Sequence, residues 1–108
     1  MPRRVRLARG ADLMACWDQG HHVRTRHLEL AWRRNGARHP RTGFIVPRYQ
    51  FTAVARNRLR RRLREILRRD ALASLPAVDL VVRAQRAAYA APFAVLRADV
   101  ADGVRRVS

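Results

Sequence analysis

Lysine is absent from this chain of 108 residues, and all 24 of its basic side chains are arginine. Acids are scarce, eight in all, which leaves a formal net charge of +16. A charge of that size repels itself and predicts a polyanionic partner. Acidic lipid surfaces and nucleic acids both answer that description, and composition does not separate them. Arginine's planar fork suits phosphate oxygens and base faces. A GC-rich genome would produce the same preference for arginine codons, so the choice of cation carries little weight. Cysteine occurs once, at Cys16, which excludes an internal disulfide and a cysteine-built zinc cage. Cys16 is expected as a packed thiol in a helix. No apolar run approaches the roughly 18 residues of a membrane span. The basic start Met1-Pro-Arg-Arg-Val-Arg6 is not followed by the apolar stretch of a signal peptide. The expectation is a cytoplasmic protein with no membrane association. Repeats, Gly/Ser linkers and low-complexity blocks are also missing.

Apolar residues make up 48% of the chain, enough for a folded domain rather than a basic tail. The length fits one domain with a modest core, taken as residues 1–108 with 1–9 as a basic arm. Leu13, Cys16 and Trp17 recur at i, i+3, i+4 spacing, which predicts a short helix over Asp12–Gln19 stopped by Gly20. Residues 22–33 read as extended, Asn35-Gly36 as a turn, and Arg41–Pro47 as a second strand that Pro47 ends or places near an edge. From about Thr52 to Leu72 the period becomes helical, with Ala55, Leu59, Leu63, Ile66 and Leu67 on one stripe. Val78–Val82 reads as a buried strand. Pro92 opens a last helix carrying Phe93, Leu96, Val100 and Val104 on one face. The mixed order predicts an α+β sandwich.

Residues 56–69 concentrate the charge: eight of the fourteen are arginine against one acid, Glu65. Like charges four apart on a helix destabilise it, as in the Arg56/Arg60 and Arg60/Arg64 pairs. Packing of the apolar stripe and neutralisation by phosphates would offset that cost. A merely solvated helix face usually carries both signs of charge, so nucleic-acid binding is the better reading.

Gly43-Phe-Ile-Val46 leads through Ala53-Val54 into Arg56-Asn57-Arg58-Leu-Arg-Arg61-Arg-Leu-Arg64-Glu65. This stretch resembles the signature region of the bacterial ribonuclease P protein family: a strand of type R-V-G-F-x-V, a crossover, A-V-x, then R-N-R opening a central helix. The likeness extends outward through Arg6-Leu7, Asp12–Trp17, Gly20, Arg26, Leu28, Leu30, Asp79–Val82 and Ala84. It implies a single-domain α-β-β-β-α-β-α sandwich with a left-handed crossover. It also implies an accessory subunit of an endoribonuclease that assists 5′-end maturation of tRNA, with ribonuclease P RNA and precursor tRNA as partners and no protein partner required. Catalysis would reside in the RNA, which uses Mg²⁺, with no metal bound tightly by the protein. By position, the resemblance places Arg48, Arg56, Asn57, Arg58, Arg60, Arg61, Arg62, Arg64 and Arg68 on the RNA-binding face. It places Leu13, Trp17, Arg26 and Ile45 at the cleft for the precursor-tRNA leader. Between strand and helix the chain departs from the family: Pro47-Arg48-Tyr49-Gln50-Phe51-Thr52 replaces a Ser-Lys-Lys-x-Gly-Asn stretch, so this crossover is expected to be rebuilt. A first-helix phenylalanine is Leu13 here, and a strand tyrosine falls at Ala31, next to Trp32.

No catalytic residue is assigned to the chain. A two-metal nuclease needs clustered carboxylates, yet the acids are scattered, and Asp99 and Asp102 are expected as an exposed pair on one helix face. His21 and His22 are the only close histidines, and neighbours in extended chain point to opposite faces. Three rivals use the same basic helix differently: a ribosomal or other structural RNA-binding protein, a helix-turn-helix DNA-binding regulator, and a membrane-surface amphipathic helix. Strands rather than a compact helix precede residue 56, against the second. The leucine stripe is needed for the core, against the third.

Overall fold

A computed structural model describes residues 6–7 and 10–107 of the chain. The basic arm expected over residues 1–9 lies outside the described residues apart from Arg6 and Leu7, and Leu7 is buried. The Leu13/Cys16/Trp17 spacing yields α1, Gly10–Gln19. At its end the Gly20 N–H donates to the Cys16 carbonyl at 2.9 Å. A Cβ on Gly20 would lie 2.5 Å from that oxygen, so only glycine permits the turn into the sheet.

The remaining elements are β1 (His21–Arg24), β2 (Leu28–Arg34), β3 (Arg41–Ile45), α2 (Ala53–Ile66), β4 (Val78–Ala84) and α3 (Phe93–Arg105). The sheet order is β1-β2-β4-β3. β1 pairs with β2, and β2 with β4, antiparallel, while β3 and β4 run parallel. Parallel neighbours cannot be joined by a hairpin, and α2 supplies the crossover between them. The α-β-β-β-α-β-α order matches the expected one.

The two-residue period of each strand sorts its side chains between two layers. Leu28, Leu30 and Trp32 of β2, with Val78, Leu80, Val82 and Ala84 of β4, meet Leu59, Leu63, Ile66 and Leu67 and the α3 residues Leu96 and Val100 in the main core. On the opposite face Val81, Cys16 and Leu7 form a smaller core, flanked by Leu13, Trp17 and Ile45. β3 is bound to β4 by more than its ladder: the buried Asp79 carboxylate accepts from Arg41 Nε at 2.8 Å and Arg41 Nη2 at 2.9 Å. The free edge of β3 is met by Arg6, which bridges to Thr42, and by the Leu7 N–H, which donates to the Thr42 carbonyl at 2.7 Å. Such cover blunts an edge that would otherwise recruit other strands.

Several expectations change in detail. The extended stretch at 22–33 is divided by a turn, which Asp99 organises. Its Oδ2 accepts from Thr25 Oγ1 and from the His27 N–H, each at 3.0 Å, and lies 2.7 Å from His27 Nδ1. Asp99 is therefore not half of an exposed carboxylate pair; Asp102 separately meets Arg105 and Arg106. The long helix starts on Thr52, whose Oγ1 accepts from the Ala55 N–H at 3.1 Å. Past Ile66 it widens into a π turn over Leu67–Ala71, where the Leu72 N–H reaches back to the Leu67 carbonyl, and closes as a short 3₁₀ turn. Phe93 is exposed rather than packed, because it occupies the first position of α3.

Candidate nucleic-acid interface

At about 100° per residue, burial of Leu59, Leu63 and Ile66 in α2 divides the arginines among three stripes. Asn57, Arg61 and Arg68 point away from the core, and Arg64 lies between that stripe and the Arg60 flank. Arg56 and Arg60 occupy one flank, Arg58 and Arg62 the other. Among the described residues, Arg58, Arg60, Arg61, Arg62 and Arg64 have no carboxylate partner; the acids nearest in sequence are taken by other arginines, Glu65 by Arg68 and Arg69 and Asp70 by Arg97. The sequence-derived RNA face is thus not uniform. Arg68 is held by Glu65 at 2.7 Å. Arg56 spends its Nε on the Val46 carbonyl at 2.7 Å, and Arg48 donates to the Phe51 carbonyl at 3.3 Å.

Arg60 and Arg64 turn toward the β3 edge. With Arg6, Leu7, Leu13, Thr42, Gly43 and Phe44 they line a depression of about 260 Å³. Desolvation, then repulsion from Arg56, Arg64 and Arg6, pushes the Arg60 pKa below its ordinary value. The guanidinium remains charged at neutral pH, so the depression concentrates positive charge, and a phosphate would relieve the repulsion. Gly43 lets the walls close in: a Cβ there would sit 2.9 Å from the Leu7 carbonyl and 3.0 Å from Leu13 Cδ1.

The structure brings together three of the four residues proposed for the leader cleft. Leu13 and Trp17 of α1 pack with Ile45 against the small core. Because α1 covers only part of this sheet face, the cross-strand row Arg24, Glu29, Arg83, Ile45 lies beyond it, in register. Arg83 was not foreseen. Its guanidinium lies over the Trp17 ring, 5.7 Å from the centroid, within cation–π range. Extending the strand alternation one step past Val82 would have found it. Arg26 is placed apart, exposed in the β1–β2 turn and lining a separate depression with His27, Ala91 and Pro92. Ala31 lies under α1, with the Cys16 thiol 3.6 Å from its carbonyl. Trp32 cannot stand in as a cleft aromatic, since it faces the main core and packs beside His21 at a 4.7 Å centroid distance.

Among the described residues, no group of three or more His, Cys, Asp or Glu side chains converges to hold a metal ion. His21 and His22 diverge across β1, as their spacing predicted: His22 Nδ1 lies 2.7 Å from Glu29, and its ring meets Trp17 edge-on. Burial, reinforced by the Asp79 charge, pushes the Cys16 thiol up to about 11, so it is not a nucleophile at neutral pH.

The divergent crossover, residues 47–52, has a defined backbone of its own. Tyr49 and Gln50 both adopt positive φ, at 48° and 72°, so the left-handed conformation falls just before Phe51. Tyr49 is fixed by a 3.1 Å hydrogen bond from its Oη to the Ala84 carbonyl.

Comparison with known proteins agrees with the motif. The family model described as Ribonuclease P matches residues 1–108. The ribonuclease P protein component of Acidothermus cellulolyticus is 42% identical over 102 residues, covering 92% of this chain and 84% of that protein. That of Aliivibrio salmonicida is 39% identical over 87 residues, covering 80% and 74%. Among solved structures, the RNase P protein from Thermotoga maritima superposes with a TM-score of 0.85 at 26% identity over 95% of this chain and 97% of that one. The Staphylococcus aureus RNase P protein, at 24% identity and a TM-score of 0.84, covers 94% and 93% and speaks for the fold alone. A whole-chain family match, a shared fold and an arginine-asparagine-arginine helix at the fold's centre lead to one conclusion: this chain belongs to the ribonuclease P protein family.

Proposed function

We propose that the chain assists ribonuclease P by binding two RNAs at once, the ribozyme on the α2 ridge and the single-stranded leader of precursor tRNA in the cleft beside α1. Membership of the family makes it the protein component of an endoribonuclease that matures tRNA 5′ ends, in association with ribonuclease P RNA. The finer assignment rests chiefly on the uncompensated arginines Arg58–Arg64, held over a buried leucine stripe. Arg61 reaches phosphates of the ribozyme from the outer face, while Arg60, Arg64 and Arg6 gather a further phosphate at the β3 edge. Trp17, Ile45 and Arg83 offer a flat, cationic floor to the leader.

In this reading bond cleavage belongs to the RNA subunit, which also holds the Mg²⁺; the protein reduces repulsion between two polyanions and orients the substrate. It works in the cytoplasm and needs no protein partner. If about six phosphates are neutralised, the logarithm of the binding constant falls by roughly 4–5 per tenfold rise in salt, as counterion release requires. Cleavage of precursor tRNA by the RNA at low Mg²⁺ is expected to accelerate when the protein is added. Equal rates with and without it would refute the proposal.

A further inference from the structure

Phe51 stands where the family pattern has glycine, and the structure gives the replacement ring a partner. Its plane lies 3° from that of Tyr89, with centroids 4.1 Å apart. Tyr89 comes from the short 3₁₀ turn after β4 and is pinned by its Oη, which donates to the Pro47 carbonyl at 2.6 Å. The stack therefore joins the crossover to a segment distant in sequence. The stack leaves Phe51 37% exposed, so part of the ring stays open to solvent.

What the open side faces is informative. Phe51 and Tyr89 form one wall of a groove of about 280 Å³, whose remaining lining is Ala55, Leu59, Arg58 and Arg62. The floor is apolar, the wall aromatic and the rim cationic, and no acid belongs to the lining. Arg58 and Arg62 are the second flank of α2, the one turned away from the depression at the β3 edge. A further cation, Arg86, lies 5.8 Å from the Phe51 centroid and 6.0 Å from that of Tyr49, and donates to the Tyr49 carbonyl at 3.2 Å. An exposed aromatic surface between unpaired guanidinium groups matches a flat π system tethered to phosphate. Single-stranded nucleic acid is bound by that combination, because every base has a π face and every linkage a negative charge.

We infer that this groove holds an unpaired nucleotide of ribonuclease P RNA, its base against the Phe51/Tyr89 wall and its phosphates on Arg58 and Arg62. The inference rests on the RNA-binding reading above and adds to it a site created by this chain's own crossover.

The test uses the full chain and ribonuclease P RNA. Ultraviolet irradiation of the complex, followed by mass spectrometry, is expected to map nucleotide adducts to Phe51 or Tyr89. Phe51→Leu keeps apolar bulk but removes the π face; it is expected to weaken RNA binding about 5- to 30-fold with an unchanged salt slope. Heparin, a polyanion without bases, is expected to bind both proteins equally. Unchanged RNA affinity in F51L, or a parallel loss toward heparin, overturns the inference. Should F51L fail to fold by circular dichroism, the adduct map decides alone, and adducts confined to other residues overturn it. Failure of the parent reading looks different: the wild-type protein itself would then show no salt-dependent affinity for the RNA.

Discussion

Arg61 and Arg68 share the outer stripe of α2, but their surroundings separate them. Arg61 has no carboxylate partner among the described residues, whereas Arg68 is held by Glu65 at 2.7 Å. Arg61→Gln is therefore expected to lower the salt slope of RNA binding by about one, and Arg68→Gln to change it less; titrations at several salt concentrations compare them. A larger effect at Arg68 would show that Glu65 does not compete with phosphate. Gln50, exposed and at a φ of 72°, is a backbone liability of another kind. Left-handed backbone costs a side-chain-bearing residue roughly 1–2 kcal/mol, against about 0.5–1 for the extra unfolded-state freedom of glycine. Gln50→Gly is thus expected to raise stability by about 0.5 kcal/mol in denaturant melts. Titration adds a signed expectation at Cys16. Its thiol is raised from 9.0 to about 11 in the folded protein, so the stability it contributes is complete below about pH 9 and lost as pH rises through 11. Alkylation by iodoacetamide at pH 9 should be far slower in the native protein than in urea; comparable rates would contradict the buried, protonated thiol.

The elements stand on a few long-range ties. Asp79, 2% exposed, accepts from Nε and Nη2 of Arg41 and from Asn35 Nδ2 at 3.2 Å. Removing the carboxylate strips Arg41 and Asn35 of their shared acceptor, while the part-exposed Arg41 can still reach water; Asp79→Ala is expected to cost about 1–3 kcal/mol, read from chemical unfolding. Much of this architecture was legible beforehand, because periodicity reports burial directly: the Leu59/Leu63/Ile66/Leu67 stripe, the Leu13/Cys16/Trp17 face and the buried run at Val78–Val82 all lie where their spacing put them. The crossover was legible only as an anomaly. That Tyr49 and Gln50 would take left-handed backbone depends on packing, and the Phe51–Tyr89 stack joins residues that no local pattern relates. Asp99 was misread for the same reason. On its own helix only Asp102 is a neighbour, while its partners Thr25 and His27 come from the β1–β2 turn, more than seventy residues away in sequence. In the candidate cleft, Leu13, Trp17 and Ile45 were found by motif, Arg26 falls outside their cluster, and Arg83 was passed over because the apolar run ended one residue earlier.

Across the entire protein, charge acts on folding and binding with opposite signs. With a net charge of +16, the free chain gains stability when salt screens its self-repulsion. RNA binding weakens under the same change, because counterions compete for the phosphates. Raising sodium chloride from about 0.05 to 0.5 M is expected to increase the thermal midpoint of the free protein while lowering its RNA affinity. Parallel trends would mean that one of the two is not governed by charge.

Strand β3 alternates between both layers, with Gly43 and Ile45 toward α1, Thr42 and Phe44 toward the opposite layer. One pleated backbone therefore acts as a spacer of set gauge between the two surfaces assigned to RNA. A single-residue insertion between Thr42 and Ile45 would turn each remaining side chain through the sheet and invert that arrangement without altering a single charge. Chains that pair substrate with ribozyme in this way should accept length changes in their turns far more readily than in this strand.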